Sequence, residues 1–200
     1  MTATLADDLL NQLQGPQLAQ IGQQLGLSDA QAGNAVSAAL PLLMGALGRN
    51  ASQPQGAEAL FGALQRDHSG QDLGSVLGTV LGGGGQGTQI LDHVFGARQG
   101  NAAQGLGAAT GLGGAQANSL LKMLAPIVLA YLAKRMFSQG DAATPQALGQ
   151  ALGSEHEQIR QQGGVGGGLL GAVLDRDGDG DTDFSDLIGL AGSVLGGPRR

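Results

Sequence analysis

The chain reads as all-α, and three observations carry that reading. β-Branched and aromatic residues are sparse, and no alternating apolar run is bracketed by hairpin turns. The apolar residues, mostly Leu, Ala and Val, gather instead into helical runs separated by Gly-bounded turns. One of these runs occurs twice: GLSDAQAGNAVSAALPLLMGALGRN (residues 26–50) lies over GLGGAQANSLLKMLAPIVLAYLAKR (residues 111–135) without a gap, at an offset of 85 residues. Gly26/Gly111, Leu27/Leu112, Ala30/Ala115, Gln31/Gln116, Ala32/Ala117, Pro41/Pro126 and Leu47/Leu132 are identical, and Gly22/Gly107 and Gly15/Gly100 continue the register upstream. Such self-similarity predicts two tandem helical repeats.

Each copy opens with a short helix, Leu5 to Leu13 in the first and Ile90 to Arg98 in the second. A Gly-bounded turn and a second helix follow, and a break at Gly-Leu precedes a long apolar helix starting near Ser28 or Gly113. Ser28, followed by Asp29, has the chemistry of an N-cap. Pro41 and Pro126 sit well inside the long helices, where proline removes a hydrogen bond and clashes with the preceding turn, so a kink or break is expected at each. Polar joints then lead to short helices at 57–64 and 146–153, and the spacing of Ser154 and Glu157 suits a capping box for a further turn. Gly clusters at 82–87 and 163–168 punctuate the chain. The expected division is 1–83, the first repeat; 84–162, the second; and 163–200, a Gly-rich segment with a terminal loop and helix.

Composition narrows the function. With 42% hydrophobic residues the chain has enough apolar side chains for a core, but Phe61, Phe95, Phe137, Phe184 and Tyr131 are its only aromatics and 38 residues are Gly. Close helix approach with little area per contact is the expected result. There is no Cys, hence no disulfide, thiolate metal site or thiol nucleophile. The N-terminus lacks a basic region followed by an apolar one, so no secretory signal is expected and a cytoplasmic location is the default. The longest uncharged apolar run, Met123 to Ala133, is well short of the roughly 20 residues of a membrane span and reads as a core helix.

Charge is concentrated in one place. The formal net charge is −6, and the stretch DRDGDGDTDFSD from Asp175 to Asp186 carries −5 of it. A nearly neutral remainder gives no steering toward nucleic acid or anionic membrane. Six aspartates in twelve residues need bulk water or a cation. Their spacing matches the EF-hand loop: Asp175, Asp177 and Asp179 at positions 1, 3 and 5, Gly180 at 6, the carbonyl of Asp181 at 7, Asp183 at 9 and Asp186 at 12. Calcium wants six to eight hard oxygens at about 2.3–2.6 Å, and alternate residues of a sharply turned loop supply them. Position 12 is Asp in place of Glu, as in the loops of dockerin modules, which this one resembles, and position 8 is Thr182. Both departures point to a weaker site than a paired sensor hand, with an affinity of about 10⁻⁶ to 10⁻³ M, open to competition by magnesium. A fainter echo at 64–83 places Gln65, Asp67, Ser69 and Gly70 at positions 1, 3, 5 and 6, with too few carboxylates to hold calcium.

Other chemistry is poorly represented. His68, His93 and His156 are far apart, with no metal spacing. No G-x-S-x-G elbow or Walker-type GK[ST] occurs, so no enzyme is expected. Lys122, Lys134 and Arg135 make a thin phosphate footprint, and nucleic-acid binding stays a second hypothesis from fold analogy alone. A third is homo-oligomeric assembly or a protein partner: Gly74, Gly78 and Gly82, with Gly192 and Gly196, form small-residue strips, for which internal packing is preferred.

The blocks AALPLLMGALGRNASQPQGAEALFGALQRDHSG, ILDHVFGARQ and LLGAVLDRDGDGDTDFSDLIGLAGSVLGG, in that order, resemble the bacterial domain-of-unknown-function family 937, related to YidB-like proteins. The resemblance implies an all-helical bacterial fold with homeodomain-like packing, and it implies no activity. Together these features predict a non-enzymatic helical protein whose C-terminal loop binds calcium.

Overall fold

The computed structural model describes residues 4–68, 72–84, 86–138 and 143–162. Among the described residues every regular element is helical, in the order α1 (Leu5–Leu13), α2 (Pro16–Leu25), α3 (Asp29–Ala51), α4 (Pro54–Ala63), a π-helical turn (Leu64–His68), α5 (Leu73–Leu81), α6 (Gly87–Phe95), a 3₁₀ turn (Gly96–Arg98), α7 (Gln99–Thr110), α8 (Gly114–Phe137) and α9 (Pro145–Gln162). The all-α expectation holds.

Local chemistry sets the helix starts. Thr4 caps α1 with its Oγ1 accepting from the Asp7 N–H at 3.1 Å, while Asp7 Oδ2 accepts from the Thr4 N–H at 3.3 Å. Ser28 and Gln31 form the same reciprocal box at α3. Gly113 has no side chain to give, yet Gln116 Oε1 still accepts its N–H at 3.3 Å. Pro16 and Pro54 begin α2 and α4, where a missing N–H costs nothing. Gly26 and Gly111 end α2 and α7 in the left-handed region, at φ 66° and 73°, a conformation that disfavours a Cβ.

The prolines do not break their helices. α3 continues through Pro41 and α8 through Pro126. Pro126 frees the carbonyl of Lys122, and the first residue of α6, Gly87, packs so closely on that oxygen that a Cβ there would overlap it. Packing along both flanks outweighs the lost hydrogen bond: Leu124 to Ala133 are all buried, as expected for a core helix. Ser154 is likewise no cap, because α9 runs without interruption from Pro145 to Gln162.

α3 and α8 pack on each other and form the centre. α1 and α2 lie against α3, α6 and α7 against α8, and α9 crosses α3 and α4. α5 and the π turn reach over to α8. One apolar cluster runs from Ala6 to Ile159 through both halves of the chain. By length and composition α3 is apolar enough to cross a membrane, but 67% of that window is buried in the bundle, as a core helix requires.

Small residues let these helices touch. A Cβ on Gly48 of α3 would sit 2.6 Å from the Leu152 carbonyl oxygen of α9, and one on Gly149 of α9 would sit 3.0 Å from that of Ala51. The glycine strip of α5 behaves differently: Gly74, Gly78 and Gly82 are exposed, and α5 buries Val76, Leu77 and Val80 instead. The internal packing expected of that strip is not found.

Candidate functional site

The aspartate loop, Asp175, Asp177, Asp179, Asp181, Asp183 and Asp186, lies outside the described residues. Of its fainter echo, Gln65 and Asp67 fall on the π-helical turn, while Ser69 and Gly70 also lie outside. Among the described residues no group of three His, Asp or Glu side chains is placed to hold a metal.

Two carboxylates do structural work on α1. Glu155 of α9 is 3% exposed, and its oxygens accept the N–H groups of Leu5 and Ala6 at 2.9 and 3.0 Å, satisfying two donors that a helix start leaves open. Asp8 accepts the Tyr131 hydroxyl at 2.6 Å and the Arg135 guanidinium at 3.3 Å, tying α1 to α8. Burial, then the hydrogen bond to Asp8, push the Tyr131 phenol well above its ordinary value. Asp72, the N-cap of α5, is held below the usual carboxylate value by the Ser75 hydroxyl, then by the Ser75 and Gly74 N–H groups.

His93 and His156 each meet a backbone carbonyl of a helix, and the side chain of His68 lies outside the described ones. The His93 Nδ1 is 2.7 Å from the Gln89 carbonyl oxygen and the His156 Nδ1 is 3.2 Å from that of Gly45; since a carbonyl only accepts, Nδ1 carries the proton in each. Lys134 and Arg135 are exposed in the last turn of α8, where cations suit the helix dipole, and Lys122 is half-buried.

A cleft of about 450 Å³ lies between the C-terminal end of α3, α4 with its π turn, and α6. Its floor is buried Leu47 and Leu129, and its walls are half-buried Leu60, Ile90 and Val94. Arg66, His93 and Asn50 stand at the rim. The corner is braced: Asn50 Nδ2 donates to the His93 carbonyl at 3.0 Å, and Gly56 packs directly on the Asn50 carbonyl, where a Cβ would collide. Arg66 leaves from the π turn with its Nε donating to the Gly62 carbonyl at 3.2 Å. No sequence motif announces this cleft, since its residues come from segments more than eighty positions apart.

Residues 7–135 match the family described as bacterial protein of unknown function (DUF937). The chain belongs to that family. The match spans α1 to nearly the end of α8 and so takes in both central helices and the whole cleft. No curated protein and no solved structure matches the chain.

Proposed function

We propose that this DUF937 protein is a non-enzymatic helical scaffold, built from two tandem repeats, that binds one calcium ion through Asp175, Asp177, Asp179, Asp181, Asp183 and Asp186. The observation that carries the reading is the placement of aspartates at the liganding positions of the EF-hand pattern together with Gly180 at the one position where an EF-hand loop turns too sharply for a side chain. The chemistry follows from charge. A divalent cation offsets two of the five net negative charges on that stretch, which otherwise repel one another in any compact arrangement. The ion thus serves stability or a calcium-dependent protein contact.

The repeat reading draws support from matched particulars. At the 85-residue offset, Gly26 and Gly111 both take the left-handed end-cap, and Gly22 and Gly107 both press against the carbonyl of the following Leu, Leu27 or Leu112. α3 and α8 begin at equivalent positions and carry Pro41 and Pro126.

A double variant tests the calcium reading. Asp175→Ala with Asp177→Ala is expected to abolish calcium-dependent heat and thermal stabilisation, with far-ultraviolet helicity unchanged. Full retention of calcium binding by the variant overturns the assignment of these ligands.

A further inference from the structure

The cleft between α3, α4 and α6 has the features of a ligand site that the calcium reading leaves unused. Its volume of about 450 Å³ falls within the range usual for small-molecule pockets, roughly 300–1,000 Å³. Leucines form its floor, so an apolar body entering it removes hydrocarbon from water on both sides. Its charge is one-sided: on a chain of net charge −6, Arg66 and His93 are the ionisable groups lining it, and no carboxylate does.

The backbone points the same way. The π-helical turn Leu64–His68 interrupts regular hydrogen bonding at the end of α4, and such turns are rare and concentrated at functional sites. Here the turn carries Arg66, whose Nε is fixed on the Gly62 carbonyl. With Nδ1 of His93 committed to the Gln89 carbonyl, Nε2 is the ring nitrogen left for a ligand. The Asn50 brace and the Gly56 contact hold the walls in place before anything binds, which reduces the ordering cost of binding.

We propose that this cleft binds a small amphiphile with an apolar body and one anionic head, of the medium-chain carboxylate class. The body lies on Leu47 and Leu129 between Leu60 and Ile90, and the head meets the guanidinium of Arg66, a charge-assisted contact that selects anions over cations.

The test uses the full chain, stripped of calcium by chelation so that no metal bridges a carboxylate head to the aspartate stretch, and occupancy of the cleft is read from the amide shifts of its lining residues. Decanoate and decyltrimethylammonium, which share a tail and differ in the sign of the head, are titrated below micelle formation by calorimetry and by amide chemical shifts. Decanoate is expected to saturate one site, at least tenfold tighter than the cation. Arg66→Gln is expected to cost at least tenfold in decanoate affinity and little for the cation. Ala59→Phe, at an exposed lining position, is expected to fill the cleft and remove binding while helicity is retained. Equal affinity for both heads, no binding, or binding untouched by both substitutions overturns the proposal. So does concentration-dependent self-association that Ala59→Phe abolishes, which makes the occupant a second copy of the chain.

Discussion

Tyr131 concentrates several forces at one atom. Its hydroxyl is buried among the α8 packing and donates to Asp8, so ionisation strands a charge away from water and next to a carboxylate. It is the only tyrosine and Trp is absent, so phenolate absorbance reports this one group. The native protein is expected to titrate well above the free-tyrosine value of about 10, and the denatured chain near it. A folded pKa raised above the unfolded one stabilises fully below about pH 10, and that contribution is lost as pH climbs toward the folded value. Stability measured by denaturant midpoint therefore falls with alkali above about pH 10, and falls less in Tyr131→Phe. Glu155 gives a second residue-scale outcome. Its removal leaves two N–H groups at the start of α1 without an acceptor, so Glu155→Ala is expected to cost about 1–3 kcal/mol by chemical denaturation. A loss within about 0.5 kcal/mol contradicts that role.

Helices were the best-read elements because their signals are local. Ser28 caps α3 as its sequence context indicates, and Leu5 to Leu13 is a helix with the bounds expected from sequence. Pro41 and Pro126 do not end their helices, because the penalty they carry is local while the compensation is tertiary, buried side chains on both flanks and Gly87 seated on the freed Lys122 carbonyl. Ser154 misled for a related reason. Its spacing to Glu157 suits a cap, but Leu152, Glu155 and Ile159 are all buried and carry α9 straight through. Glycines at helix crossings yield a paired prediction. Gly48→Ala brings a Cβ to 2.6 Å from the Leu152 carbonyl oxygen and is expected to cost about 1–3 kcal/mol, while Gly78→Ala, with open space around it in α5, is expected to gain about 0.5–1 kcal/mol. Thermal unfolding followed by circular dichroism checks both, and a stabilised Gly48→Ala contradicts the close α3–α9 crossing.

At the scale of the molecule, two kinds of site differ in how much a sequence discloses. The aspartate stretch is contiguous, and its spacing is the one the proposed calcium site requires, so its candidate ligands are readable by position. The cleft is assembled from α3, α4, α6 and α8, and only the packing of helices around α3 and α8 brings Leu47, Arg66, Ile90 and Leu129 together. The decisive measurement is a calorimetric titration of calcium, and separately of magnesium, into chelator-stripped full-length chain. Binding of one calcium equivalent at about 10⁻⁶ to 10⁻³ M over a magnesium background, with a matching rise in thermal stability, is the expected result. No heat and no stabilisation at millimolar calcium would contradict it and leave the aspartates as a solvated acidic stretch.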